Sequence, residues 1–357
     1  MKKIGLLFLV LSIFSCKKES LRLHFLDEFT VKDSLEFQNT IIGGISGIDF
    51  DNNQYYMVVD DARNPQILVA NINFDKDSIR SVNFKKVIKI DTTSLFFKNN
   101  ALDLEAIFIS DNQITLASEG AIRKGKDPII FTTDTLGNYQ NRTEIPTYFK
   151  ANSLAKPKHN ATFESSSKSY DNKGFWIGME GVLAADGEEP TFDKTQSPAR
   201  ITYFDNQTKK ATKQFAYQLE KIDKPAKGTI NLNGVTAILE YEKNSFFVVE
   251  RIYQSGYGAY GNTVRIFKVT IDDTSTNTLN IESLKEEKYI PLKKELLFDF
   301  KTIKNKLTDK IIDNIEGITF GPKLSNGNRS LLLVSDDNFQ IYGKQLNQFL
   351  LLEIDEK

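Results

Sequence analysis

Apolar, β-branched and aromatic residues gather into short runs at 55–59, 66–72, 129–133, 175–178, 200–204, 246–249, 264–270, 330–334 and 349–354. Between them lie turn-forming clusters such as Asp51-Asn52-Asn53, Asp111-Asn112, Asp171-Asn172-Lys173-Gly174 and Asn326-Gly327-Asn328. Runs of this length bounded by Asn, Asp and Gly predict β-strands joined by tight turns. A helical period occurs in one stretch, 302–313, where Ile303, Leu307 and Ile311 fall four residues apart. Elsewhere the pattern predicts strand and loop.

A longer repeat is laid over these strands. Five times a short motif precedes a turn and an apolar strand that ends in an acid. Ser46-Gly47-Ile48 leads to Val59-Asp60-Asp61, Glu105-Ala106-Ile107 to Ser118-Glu119-Gly120, and Phe163-Glu164-Ser165 to Met179-Glu180-Gly181. Asn233-Gly234-Val235 leads to Val249-Glu250-Arg251, and Glu316-Gly317-Ile318 to Ser335-Asp336-Asp337. The motifs start at 46, 105, 164, 233 and 316, which are 59, 59, 69 and 83 residues apart. A strand-rich unit of this length predicts an all-β chain folded as a β-propeller, one unit to a blade. Six blades are expected, with five or seven as alternatives, because the last gap leaves room for part of another blade at 264–270 and 289–300. Residues 21–30 and 349–354 are expected to share the blade that closes the ring. The acidic loop at 183–199 reads as an insertion at a blade edge.

The N-terminus has a different character. Lys2 and Lys3 precede an apolar run, 4–14, followed by Ser15 and Cys16. A charged start and a hydrophobic run too short to span a bilayer predict a secretory signal. Ile13-Phe14-Ser15-Cys16 resembles a bacterial lipobox, which implies lipidation of Cys16. The expected organisation is a signal peptide at 1–15, the lipidated cysteine and a tether at 16–22, and one propeller domain at 23–357. Lys17-Lys18-Glu19-Ser20 resembles the surface-export signals of Bacteroidetes lipoproteins. Residence in the cell envelope is expected, lipid-anchored at the outer membrane on its periplasmic face or at the cell surface. Cys16 is the only cysteine, so the mature chain has no disulfide, thiolate metal site or cysteine nucleophile. Without the two leader lysines, 44 basic residues face 47 acidic ones, a net charge of −3. That balance argues against nucleic acid as a partner and leaves membrane contact to the N-terminal lipid alone.

In a propeller the first strand of each blade lines the channel, so equivalent positions converge. Asp60, Glu105, Glu119, Glu164, Glu180, Glu250, Glu316 and Asp336 would then cluster. Crowded carboxylates stay ionised only with a cation among them; otherwise their pKa values rise. Oxygen donors without Cys or His suit Ca²⁺ or Mg²⁺. The competing reading has each acid bonded to the backbone of the neighbouring blade. Arg63, Arg123 and Arg251 follow three of the acidic strand ends. A guanidinium held by a carboxylate presents a fork suited to phosphate or carboxylate groups, or simply completes an internal ion pair, the reading favoured for Arg251. Other chemistries find no support. The two histidines, His24 and His159, form no pair; no G-x-S-x-G elbow or P-loop exists; and the Gly/Tyr segment 255–261 reads as a rim loop or hairpin turn.

Asn314-Ile315-Glu316-Gly317-Ile318-Thr319-Phe320-Gly321-Pro322 with Leu331-Leu332-Leu333-Val334-Ser335-Asp336-Asp337 resembles the C-terminal signature of the phytase-like family. Ser46-Gly47-Ile48-Asp49 with Val59-Asp60-Asp61-Ala62-Arg63 resembles its N-terminal signature. Asp103-Leu104-Glu105, Ser118-Glu119-Gly120, Phe163-Glu164, Met179-Glu180-Gly181 and Glu250-Arg251 fall between them in the family's order. Ala106 stands where the family usually has Gly, and Ser165 departs from the usual continuation after Glu164. The resemblance implies an envelope hydrolase acting on a small-molecule ester or phosphate ester with Ca²⁺. Asp60, Glu105, Glu164, Glu180, Glu316 and Asp336 are its expected metal ligands, and Glu119, Glu250, Arg63 and Arg123 its expected catalytic residues. The alternative is a non-enzymatic propeller lipoprotein that binds a ligand or a partner.

Overall fold

A computed structural model describes residues 21–356; Cys16 and the leader before it lie outside the described residues. The predicted turns close antiparallel hairpins. Asn52 and Asn53 (φ 46° and 62°) join Ile45–Asp51 to Gln54–Val59, and Asp111 and Asn112 (φ 51° and 59°) join Leu104–Ser110 to Gln113–Ser118. Two successive left-handed residues match the twist of a hairpin, and Asn and Asp tolerate that conformation best among residues with side chains.

Five four-stranded antiparallel sheets result, one per motif. From the channel outward, blade 1 is Ile45–Asp51, Gln54–Val59, Gln66–Asp75 and Ser78–Lys89, and blade 2 is Leu104–Ser110, Gln113–Ser118, Ile129–Thr133 and Tyr139–Thr143. Blade 3 is Phe163–Lys168, Gly174–Met179, Pro198–Asp205 and Lys210–Gln218. Blade 4 is Asn231–Glu242, Ser245–Gln254, Asn262–Thr270 and Lys293–Asp299. Blade 5 takes Asn314–Phe320, Arg329–Asp336 and Asn347–Asp355 from the C-terminal end of the chain and Arg22–Val31 from the N-terminal end. The closure expected from the sequence is therefore present: Leu23 lies opposite Ile354 and Phe29 opposite Phe349.

The expected sixth blade is absent, because its two candidate strands are the third and outer strands of blade 4. The excess length goes instead into the excursion 271–292, which crosses the edge of blade 3. Thr278 N donates to Gln214 O (2.8 Å), Leu292 N to Ala216 O (2.9 Å) and Leu284 N to Asp186 Oδ1 (3.0 Å). Asp186, from the loop at 183–199, is wholly buried against Arg200 (2.6 Å), so the inner part of that insertion is core. The helix expected at 302–313 is a pair of 3-10 turns, Phe300–Lys306 and Thr308–Lys310, separated at the extended Leu307 (φ −87°), with Asp309 left-handed (φ 50°) inside the second. Ile303 and Leu307 are nevertheless buried, between blades 4 and 5. Leu95–Asn99 is the one α-helix among the described residues, and no helix there is long and apolar enough to cross a membrane.

The apolar core is divided into five layers, one between each pair of adjacent blades. Between blades 1 and 2, Val58, Ile67 and Val69 meet Leu104, Ile107, Leu116 and Phe131; between blades 4 and 5, Phe247, Val249 and Ile266 meet Ile315, Leu331, Leu333 and Leu350. Each blade thus buries both faces, which explains runs that are apolar at consecutive positions. Polar staples cross the same boundaries. Ser46 Oγ donates to Leu104 O (2.9 Å), Thr236 Oγ1 to Ile315 O (2.8 Å), and Trp176 Nε1 to Glu240 Oε2 (3.0 Å).

Phe349 is fully buried between the closing strand and Val334. Phe349→Ala is expected to cost about 3–5 kcal/mol by cavity formation. Chemical denaturation would read this as a lower midpoint at an unchanged slope.

Candidate metal centre

One irregularity recurs in every blade. The register between inner and second strands slips by one residue at Ser46, Glu105, Glu164, Thr236 and Glu316. Such a bulge leaves one residue out of the ladder and turns its side chain away from the regular alternation. The preceding residues, Ile45, Leu104, Phe163, Val235 and Ile315, pair with Val59, Ser118, Met179, Glu250 and Ser335. The second-strand position that follows each pair is therefore Asp60, Glu119, Glu180, Arg251 and Asp336.

This register corrects the sequence alignment in blade 4, where the equivalent of the motif start is Thr236 rather than a residue at 233. Glu250 consequently falls one place short of the other strand-end acids, and a shift of one residue in a strand reverses the face. It accepts hydrogen bonds from the Tyr217 hydroxyl, Lys294 Nζ (2.7 Å), Asn233 Nδ2 (2.9 Å) and Glu220 N (3.0 Å). The structure thus places Glu250 in a buried knot between blades 3 and 4, outside the acid cluster. Arg63, on a loop, and Arg123, in the 3-10 turn Ile122–Lys124, are exposed just beyond the second-strand ends that carry Asp60 and Glu119.

The other acids do meet. Carboxylate oxygens of Asp60, Asp103 and Glu105 lie within 4.8 Å of one another, and so do those of Glu105, Glu119 and Glu164. Glu105 belongs to both groups. Asp103, which is not among the expected ligands, directly precedes the paired Leu104, and its carboxylate lies beside that of Asp60. Glu105, Glu119 and Glu164 are buried, whereas Asp60 and Asp103 reach solvent in part. Arg251 is the basic side chain among them, with Nη2 3.2 Å from Glu180 and Nη1 3.3 Å from Glu316. Two acids also brace neighbouring backbone. Glu119 Oε1 accepts from Thr162 N of the next blade (2.7 Å), and Asp336 Oδ1 accepts from Asn338 N (2.7 Å). The crowding expected of the acids is therefore present, whereas the expected staple to the neighbouring blade's backbone is made by Glu119 alone among them; Asp336 braces its own turn.

Burial governs the electrostatics, and crowding adds to it. Burial and then the charge of Asp103 push Asp60 up to about 8. Burial and Glu180 push Glu119 up to about 8, and burial with Asp60 beside it holds Glu105 well above the usual carboxylate range. Burial also raises Glu164 and Glu316 strongly, and Asp336 to about 7. Glu180 is raised by burial but eased by Arg251. An all-oxygen donor set of this density fits a hard divalent cation, and the cluster can hold a metal ion.

Below the acids the channel narrows to about 10 Å³, lined by small residues (Gly47, Ala106, Ser165, Ala237, Gly317) and then by isoleucines 48, 107, 238 and 318. That is space for about one water. Ser165, where the sequence departs from the family pattern, is accommodated by Gly178 opposite it; a Cβ at Gly178 would stand 2.4 Å from Ser165 Oγ.

Fold and cluster together define a five-bladed propeller whose channel is lined with carboxylates at one end. The sequence profile of the phytase-like family, described as esterase-like activity of phytase, matches residues 40–339. The chain belongs to that family. A comparison with curated proteins finds no match. Among solved structures the chain is similar to a thermostable family-43 glycoside hydrolase, at 10% identity and a TM-score of 0.45 over 88% of this chain and 89% of that one. It is similar to a Coprinopsis cinerea α-L-arabinofuranosidase domain at 9% identity and a TM-score of 0.44, over 94% of this chain and 98% of that one. For a Bacillus halodurans xylan β-1,4-xylosidase the values are 11% and 0.45, over 89% of this chain and about half (54%) of that one.

The raised carboxylates link stability to pH. Folded Asp60 and Glu119 keep their protons up to about pH 8, whereas unfolded carboxyls lose theirs near pH 4. Between those values these two groups bind more protons in the folded chain, so their contribution to stability is full below about pH 4 and is lost as pH rises toward 8. Metal-free protein is expected to melt at a lower temperature at pH 8 than at pH 5.5, and added Ca²⁺ to restore more at pH 8. A melting temperature in EDTA that climbs over this range would contradict the crowding.

Proposed function

We propose that the chain is a metal-assisted ester hydrolase of the cell envelope, anchored through Cys16, with a phosphate ester as substrate and Ca²⁺ as the resident cation. The observation that carries this reading is the pair of three-carboxylate groups sharing Glu105. Glu105, Glu119 and Glu164, buried and all-oxygen, would hold the ion. When bound, such an ion neutralises the ester's negative charge and polarises the P–O bond. The chain's own residues supply the rest. Asp60 and Asp103 sit at the solvent-reached side of the cluster and interact with each other. They are placed to take a proton from an attacking water and return one to the leaving oxygen, as paired carboxyls do. Arg63 and Arg123, exposed just beyond those second-strand ends, would meet the incoming anion.

A second reading, a binding propeller whose ion is structural, is favoured by one observation. Glu105, Glu164 and Glu316 are each at least nine-tenths buried, and the channel beside them offers little room. Assays on p-nitrophenyl phosphate and phytate separate the two. Hydrolysis is expected to vanish in EDTA and return with Ca²⁺, and Asp103→Asn to lower turnover by about 100-fold or more at an unchanged melting temperature. A folded, calcium-loaded protein inert toward both esters would support the binding reading instead.

A further inference from the structure

The repeat that builds the ring is broken once. At the second-strand position, blades 1, 2, 3 and 5 present Asp60, Glu119, Glu180 and Asp336, whereas blade 4 presents Arg251. Its inner-strand neighbour in the ring, Thr236, is uncharged and spends its hydroxyl on Ile315 O (2.8 Å). Blade 4 therefore adds a cation and no acid.

Arg251 is engaged on both sides. Nη2 meets Glu180 of blade 3 at 3.2 Å and Nη1 meets Glu316 of blade 5 at 3.3 Å. Glu316 Oε1 also accepts from Asn314 Nδ2 (2.8 Å), so its coordinating capacity is partly used within the protein. Glu180 leans across the blade boundary because Gly234, opposite Arg251 in the ladder, has no side chain. A Cβ there would stand 2.4 Å from Glu180 Cγ. The two groups of carboxylates with converging oxygens, by contrast, come wholly from blades 1 to 3. None of their five members has an ion pair to a basic side chain among the described residues.

We propose that Arg251 is a positioning residue that occupies the blade 3–5 side of the ring as a built-in cation, confining the divalent ion to the blade 1–3 side and limiting how many ions the ring takes. This rests on the metal reading given above. It deepens that reading by naming the residue that sets ion number. In Arg251→Gln, Glu180 and Glu316 lose their partner, face each other across the vacated space and form a second position for a hard cation.

The test is calorimetric titration of CaCl2 into the full chain stripped with EDTA. Arg251→Gln is expected to take up one more Ca²⁺ per chain than the parent, while Arg251→Lys keeps the parent number. Parent and Arg251→Gln binding the same number of ions with dissociation constants within threefold would overturn the proposal and leave the metal reading standing. A parent that binds no Ca²⁺, Mg²⁺ or Mn²⁺ beside a variant that binds one would overturn the metal reading and the confinement that rests on it, and keep Arg251 only as the cation that fills the blade 3–5 side. Binding by neither overturns both. Should Arg251→Gln fail to fold, single substitutions in the parent decide. Glu180→Gln is expected to change calcium affinity less than threefold and Glu105→Gln to weaken it more than tenfold; equal losses would overturn the proposal.

Discussion

In each blade the inner strand gives up one ladder position to turn a side chain out of the regular alternation. This bulge, repeated at Ser46, Glu105, Glu164, Thr236 and Glu316, is the constraint on which the rest of the channel depends. It brings the following second-strand residue to the same level and lets the next position, always small, seal the axis beneath. Where the bulged residue is Ser46 or Thr236, its hydroxyl ties one blade to the next. Where it is Glu, it adds to the acid cluster. One backbone device therefore serves cohesion at two positions and chemistry at three.

Magnitudes decide what that chemistry can be. Two carboxylates 4.8 Å apart repel by about 3–4 kcal/mol at an effective dielectric of about 20, whereas a typical hydrogen bond contributes about 1 kcal/mol net. The staples to Thr162 N and Asn338 N cannot offset several such repulsions. The ring must hold protons or positive charge. Arg251 supplies one such charge, on one side only, and the remaining acids are left with protons or a divalent ion as the means of neutralisation.

The sequence carried the fold well and the site in part. Turn clusters such as Asp51-Asn52-Asn53 and the motif repeat disclosed strands and propeller, because hairpin turns and blade repeats leave local marks. The preference for six blades arose from counting residues between the last two motifs. The runs at 264–270 and 289–300 looked like part of a further blade because the anchors that hold 271–292 against blade 3, Asp186 and Arg200, lie about eighty residues or more away in sequence. The converging acids Asp60, Glu105, Glu119 and Glu164 were legible from the repeat alone. The internal ion pair favoured for Arg251 is present, but that Arg251 rather than Glu250 faces the axis was not legible, since only the ladder register decides which of two adjacent charged residues does so. Asp103 lay within a recognised motif, but nothing local marks it as a neighbour of Asp60 on another blade.

The direction of the closing strand has a consequence for how the molecule is presented. Val31 lies opposite Asn347, at the end of blade 5 where Asp336 and the other acids gather, while Arg22 lies opposite Asp355, at the far end of the same strand. Whatever precedes Arg22 thus leaves from the base of the propeller, at its perimeter. Under the anchoring proposed for Cys16, that base would be the side nearer the bilayer and the carboxylate-lined opening the side farther from it.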